Sequence, residues 1–173
     1  MQQKEATIYI TRVRDGVRFP SYAREGDAGM DVESAVDLVI KPGETVVVPT
    51  GFSMAIPEGY EAQIRPRSGL SLKTMLRIPN SPGTIDSGYR DEVGIILHNA
   101  SFLSVTDANE GTEASYTIDV KNNPHGAYLI RKGDRIAQMV IAKVATANFA
   151  EVPSVKEIGN DRGGGFGSTG TKN

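Results

Sequence analysis

The balance of branched and unbranched aliphatic residues narrows what this chain can fold into. Valine and isoleucine together number 29, leucine only 7. Side chains branched at Cβ lose rotamer freedom in a helix and pack well on a pleated surface. The apolar residues come in short runs separated by glycine and proline, which make up 28 of 173 residues. That share, about 16%, exceeds the roughly 12% of average usage. Many short strands joined by such turns form sandwiches or barrels, so an all-β fold is expected.

The runs can be placed. Strands are expected over Ala6–Thr11, Ala35–Ile40, Thr45–Val48 (closed by Pro49), Phe52–Ile56 and Tyr60–Arg65. Lys41-Pro42-Gly43-Glu44 and Pro57-Glu58-Gly59 read as turns between them. Val93–Leu97 is an apolar run of the kind a buried strand shows. Arg135–Val144 is long enough for helix or strand, and its β-branched content favours strand. Ser68–Thr74 is the best place for a short helix, with Ser68 as its N-cap. Residues 100–127 are too long for an ordinary hairpin loop, and a short strand is expected within them at Tyr116–Val120. Residues 159–173 hold six glycines and almost nothing to bury, the composition of a tail disordered on its own.

Composition excludes several classes of function. The length suits one domain plus an insertion and buries about 70% of the unfolded surface, so no staple is required. There is no cysteine, hence no disulfide, no thiolate zinc site and no cysteine nucleophile. No apolar stretch reaches the roughly 18 residues of a membrane span. The first residues, Met1-Gln2-Gln3-Lys4-Glu5, lack a signal-peptide core, so a cytoplasmic location is expected. A net charge of −2 argues against binding along a nucleic-acid backbone.

Four segments can carry chemistry, each with a plainer alternative. In the tail, glycine amides, Arg162, Ser168 and Thr169 suit phosphate oxygens, and Phe166 suits stacking on a base; the alternative is a flexible linker. In Arg65-Pro66-Arg67-Ser68-Gly69-Leu70, two arginines precede the expected helix, as phosphate ligands or as solvated charges. Asp86, in Gly83-Thr84-Ile85-Asp86-Ser87-Gly88-Tyr89-Arg90, either activates a water or caps a turn. Asp27-Ala28-Gly29-Met30-Asp31 either helps hold magnesium near a polyphosphate or simply turns the chain. His98 and His125 stand alone, without metal-ligand spacing.

The order of these segments carries more than any one of them. Along nearly its whole length the chain resembles the homotrimeric dUTPase family, the deoxyuridine triphosphate nucleotidohydrolases. Its five motifs match Ala28–Val32, Pro66–Leu70, Gly83–Arg90 with Val93-Gly94, Gly133–Gln138, and Arg162–Gly170. The resemblance implies a jelly-roll-like homotrimer with C-terminal tails exchanged between subunits. It implies hydrolysis of dUTP to dUMP and pyrophosphate with Mg2+, keeping uracil out of DNA. Asp86 would activate the water and Tyr89 would pack on the deoxyribose. Asn80 with the backbone of Gly83, Thr84 and Ile85 would read uracil. Arg67, Ser68, Gly69 and Gln138 would hold phosphates, and Asp31 would meet the magnesium through its waters. Arg162, Gly167, Ser168 and Thr169 would close over the triphosphate, and Phe166 over uracil.

On this reading residues 1–99 and 128–158 form the catalytic core, 100–127 an insertion and 159–173 the tail. The insertion departs from the common family pattern and resembles phage-encoded members. Binding of a repressor-type regulatory protein through it is one expectation, and a partnerless surface insertion the other. Two rival functions remain. A dCTP deaminase of related fold would need an acid on the strand Val93–Leu97, which has none. A dUTP-sensing regulatory protein without catalysis would have no use for Asp86.

Overall fold

The structure, a computed structural model, describes residues 6–102, 115–119, 126–161 and 163. Its elements in chain order are β1 (Tyr9–Arg12), β2 (Ser21–Tyr22), β3 (Met30–Glu33), β4 (Leu38–Ile40), β5 (Thr45–Pro49), β6 (Phe52–Ala55), β7 (Tyr60–Arg65), α1 (Ser68–Lys73), β8 (Leu76–Arg77), β9 (Gly83–Ile85), β10 (Gly94–Asn99), β11 (Ser115–Thr117), β12 (Ala127–Ile130) and β13 (Arg135–Lys143). The strands pair as β2-β3-β13-β7-β9, β5-β10-β8, β11-β12-β4 and β1-β6. Among the described residues no helix is long and apolar enough to cross a membrane.

The all-β expectation holds, and the stretch from Arg135 resolves as a strand. β13 is the centre of the five-stranded sheet, antiparallel to β3 on one edge and β7 on the other. Its apolar residues are buried on both faces at its start, which is why no clean alternation shows in the sequence. The core gathers Val32, Ile40, Val48, Phe52, Ile95, Leu97, Tyr128, Ile130 and Ile136, each almost fully buried. Each such aliphatic or aromatic side chain contributes about 1.5–3 kcal/mol on leaving water. Tyr128 buries its ring and satisfies its hydroxyl by accepting the Met75 amide at 3.0 Å.

Several boundaries move. The strand expected from Ala35 begins at Leu38, because the Ala35 amide bonds the Pro49 carbonyl at 2.9 Å outside the ladder. Pro49 closes β5 as expected, as its last residue, opposite Gly94. The helix forms over Ser68–Lys73, but its N-cap is Arg67, and no side-chain cap bond is made. Ser68 is therefore the first helical residue, a correction to its expected capping role. The strand within residues 100–127 appears at Ser115–Thr117 and adds to β12 in parallel. Most of that segment, 103–114 and 120–125, lies outside the described residues.

The two feet of that segment meet one side chain. Asn99, fully buried, donates from Nδ2 to the carbonyls of Ile40 (2.9 Å) and Gly126 (3.2 Å). Its Oδ1 accepts the Ser101 amide at 3.0 Å.

Candidate active site

One cluster forms where β3, β13 and the start of α1 meet. Because β13 runs between β3 and β7, Gln138 lies opposite Asp31 on one side and Arg65 on the other. Gly29 lies against Gln138: a Cβ there would sit 3.6 Å from that side chain. The backbone of Arg67 is extended (φ −82, ψ 130), which sends the chain into α1 while its side chain turns back to the sheet. Arg67 Nε donates to Asp31 Oδ1 at 2.8 Å, and Arg135 Nη1 donates to Asp31 Oδ2 at 3.1 Å. Arg67 Nη1 also donates to the Arg135 carbonyl at 3.1 Å. One carboxylate thus orients two guanidinium groups, and the cluster keeps an excess of positive charge. Ser68 and Gly69 are exposed beside it.

The turn before β13 sets Arg135 in place. The Arg131 amide donates to Asp134 Oδ2 at 2.8 Å, and Gly133 takes a φ of +89, open to glycine at little cost. Ser34 fastens this turn to the end of β3: its amide donates to the Asp134 carbonyl (2.9 Å), and its carbonyl accepts the Gly133 amide (2.8 Å).

A second cluster lies on the stretch from Asn80 to Gly94, which carries β9. β9 pairs with β7, Gly83 opposite Ile64 and Thr84 opposite Gln63. A Cβ on Gly83 would come 3.0 Å from Asn80 Nδ2, so the Asn80 amide lies directly over this backbone. After β9 the chain turns sharply, with the Tyr89 amide donating to the Asp86 carbonyl at 3.1 Å. Arg90 Nη1 caps the turn by donating to the Ser87 and Tyr89 carbonyls at 2.6 and 2.7 Å. The Tyr89 hydroxyl donates to the Glu92 carbonyl at 2.9 Å. Thr84, Ile85, Asp86, Tyr89, Val93 and Gly94 line one open concavity, with the exposed Asp86 as its acid.

Behind that loop, Arg14 makes a two-pronged pair with Glu92, Nε to Oε1 at 2.7 Å and Nη2 to Oε2 at 2.9 Å. The Gly51 amide also donates to Glu92 Oε1, at 2.8 Å. Hydrogen bonding from Arg14 holds the Glu92 carboxyl below its ordinary range, and the same bond raises the Arg14 guanidinium.

The structure thus collects the expected residues into two groups, Asp31 with Arg67 and Gln138, and Asn80 with Gly83, Thr84, Ile85, Asp86 and Tyr89. The concavity around Asp86 is lined by none of the first group. Arg162, Phe166, Gly167, Ser168 and Thr169 lie outside the described residues. Three side chains escaped the sequence reading: Arg135, which shares Asp31, and the pair Arg14 and Glu92. Arg135 carried a signal, since it falls inside the fourth motif; a pair 78 residues apart carried none.

As for a metal, no group of three or more His, Cys, Asp or Glu is found among the described residues. Asp31 alone suits an ion that keeps most of its shell as water and phosphate oxygens, as magnesium does. Each of its oxygens takes one guanidinium N–H, leaving lone pairs for such waters.

The family profile described as dUTPase matches residues 15–106. The chain is 48% identical over 166 residues to the deoxyuridine 5'-triphosphate nucleotidohydrolase of Zymomonas mobilis, covering 94% of this chain and 97% of that one. Among solved structures it is similar to a mutant Staphylococcus bacteriophage 80alpha dUTPase with dUpNHpp, at 32% identity and TM-score 0.81. That match covers 95% of this chain and 98% of the phage chain, and the work is described as phage dUTPases controlling transfer of virulence genes by a G protein-like mechanism. It is also similar to a mutant dUTPase of phage phi11 of S. aureus, at 32% identity and TM-score 0.73, covering 86% and 97%, which is described as coordinating a structural Mg(II) ion. This all-β chain therefore has the jelly-roll-like fold of those enzymes and belongs to the dUTPase family, hydrolases of deoxyuridine triphosphate.

Proposed function

We propose that this enzyme hydrolyses dUTP by attack of an Asp86-activated water on the α-phosphorus, releasing pyrophosphate and dUMP. The observation that carries this reading is the concavity in which Asp86 and Tyr89 stand on the same stretch as Gly83, with the Asn80 amide against its backbone. Asp86 accepts a hydrogen bond from the water and takes its proton as the O–P bond forms; the bond to the bridging oxygen breaks, and pyrophosphate leaves. Such a transfer depends on positioning and charge neutralisation more than on covalent chemistry. Tyr89 packs on the deoxyribose, leaving no room for a 2′-hydroxyl. Asn80 and the backbone at Gly83–Ile85 hydrogen-bond the uracil edge; cytosine would leave donors and acceptors there buried and unpaired.

Arg67, Ser68, Gly69 and Gln138 hold phosphate oxygens. Magnesium, when bound, neutralises triphosphate charge, and Asp31 would hold it through water. Because Asp86 and Asp31 belong to separate clusters in one chain, the reading is completed by a homotrimer in which neighbouring subunits supply the two halves of each site. The exchanged tail, with Arg162, Gly167, Ser168, Thr169 and Phe166, then covers the nucleotide and excludes water. In this division residues 1–99 and 128–158 are the core, 100–127 the insertion and 159–173 the tail, working in the cytoplasm. The test is pyrophosphate release from dUTP with and without Mg2+, alongside dCTP and UTP. Release from dUTP alone supports the reading, and ammonia from dCTP would replace it with a deaminase.

A second, regulatory role is favoured by the likeness to the phage 80alpha chain, whose description assigns a G protein-like control. The insertion 100–127, which lays β11 along β12, is the segment to offer a repressor-type protein. Shortening it should abolish capture of such a partner and leave hydrolysis intact.

A further inference from the structure

The loop bearing Asp86 and Tyr89 is braced from outside the concavity. Tyr89 rests its hydroxyl on the backbone carbonyl of Glu92, while the Glu92 side chain is gripped by Arg14 and by the Gly51 amide. The brace continues at both ends. The Gly51 carbonyl accepts the amides of Val13 (2.9 Å) and Arg14 (3.3 Å), which ties the arginine's own backbone to the same turn. The next residue, Val93, is locked by its amide to Phe52 (2.9 Å), and Thr50 Oγ1 donates to its carbonyl at 2.7 Å.

An isolated exposed ion pair contributes little. This one differs in geometry: two parallel bonds and a third donor on the same carboxylate fix its position, which is what a planar guanidinium fork provides. Glu92 is three residues from Tyr89 and shares a hydrogen bond with it, so whatever fixes Glu92 fixes the anchor of the tyrosine ring.

We infer that Arg14 and Glu92 act as positioning residues for Tyr89, and thereby set how strictly the enzyme separates a deoxyribose from a ribose. The inference rests on the proposed placement of Tyr89 against the sugar. Neither side chain lines the concavity, so neither need touch the nucleotide.

The test uses the full-length protein with kcat and KM for dUTP and UTP in Arg14→Gln, Glu92→Gln, the double variant and Arg14→Lys. Both single variants should raise KM for dUTP by about tenfold, the size of one well-made hydrogen bond, and narrow the dUTP:UTP preference, with kcat changed less. The double variant should be no worse than either single one, because they disable one device. Arg14→Lys, which keeps the charge but loses the fork, should recover part of the preference. An unchanged KM and an unchanged dUTP:UTP ratio in both single variants, with only thermal stability lowered, would overturn the inference. A readout independent of turnover is the Tyr89 ring resonance in protein labelled with 13C-tyrosine. Its shift in Glu92→Gln supports the positioning role even if the unaltered protein fails to hydrolyse dUTP, a failure that would strike the proposed function instead. An unmoved resonance counts against the inference.

Discussion

Arg67 reaches from the start of α1 back to Asp31 on β3, Nε to Oδ1 at 2.8 Å, and Arg135 occupies the other oxygen of the same carboxylate. Asp31 is thus less a bare ligand than the hub that aims two cations. In Asp31→Asn the hub loses its charge and turns a donor toward a guanidinium. On the proposed role of Asp31 near magnesium we expect kcat/KM for dUTP to fall about 10- to 100-fold, with a higher magnesium concentration needed for half-maximal rate. Melting should drop by about 2–4 °C, corresponding to ~1 kcal/mol for a partly exposed ion pair.

Asp86 stands apart from that hub, and its replacement should separate chemistry from binding. Asp86→Asn removes the proposed proton acceptor and keeps the shape. Pyrophosphate release should fall by several orders of magnitude while a non-hydrolysable dUTP analogue binds with nearly unchanged affinity in calorimetry.

Two glycines predict opposite outcomes for the same substitution. At Gly51, φ is +78 and a Cβ would collide with Cγ1 of the buried Val17 side chain. Gly51→Ala should cost at least ~2 kcal/mol, visible as a lower denaturation midpoint. At Gly83 the added Cβ is crowded by the tip of the Asn80 side chain, at 3.0 Å, and makes ordinary contact with Ile64 Cβ at 3.5 Å. Gly83→Ala should therefore melt close to the unaltered protein but raise KM for dUTP, because on the proposed reading the displaced Asn80 amide would no longer face the base.

The Glu92 carboxyl titrates below the usual carboxylate range, chiefly through the hydrogen bond from Arg14. A group whose folded value is depressed adds stability above its unfolded value and loses it as pH falls through the folded one. The melting difference between the unaltered protein and Glu92→Gln should be full at neutral pH, shrink below about pH 4.5, and vanish in stronger acid.

Ending the chain after Asn160 removes Arg162, Phe166, Gly167, Ser168 and Thr169 and leaves the described sheets whole. Turnover of dUTP should collapse while the melting temperature stays within ~2 °C. Unchanged turnover would mean that the tail does not close the site.

The sequence made the β architecture legible because it is written in local terms. β7 falls on Tyr60–Arg65 as alternation predicts, with Ala62 and Ile64 buried. β8 and β9 went unseen, since Leu76–Arg77 and Gly83–Ile85 are too short to show a period. They are strands only because β10 and β7 supply the partners. The same split runs through the site. Asp31, Arg67, Asp86 and Gln138 stood inside motifs, where residue types and spacing speak. The link between Arg14 and Glu92 depends on how the stretch after β1 and the β5–β6 turn are set beside the loop after β9, a relation no local pattern contains. Ser68 misled for a related reason: a serine at an expected helix start looks like a cap, but the extended residue there is Arg67, whose guanidinium is engaged by Asp31.

Asn99 gives the stretch between β10 and β12 a common root. Its amide carries Ser101 at the outgoing end and Gly126 at the returning end, so the chain leaves and re-enters at one point on a buried side chain. With the ends pinned, extra length adds only the slowly growing entropy of a larger ring, about 0.6 kcal/mol for each doubling. The position is therefore a socket: segments of different length and composition can be seated there, and the sheets beneath need not respond to what they hold.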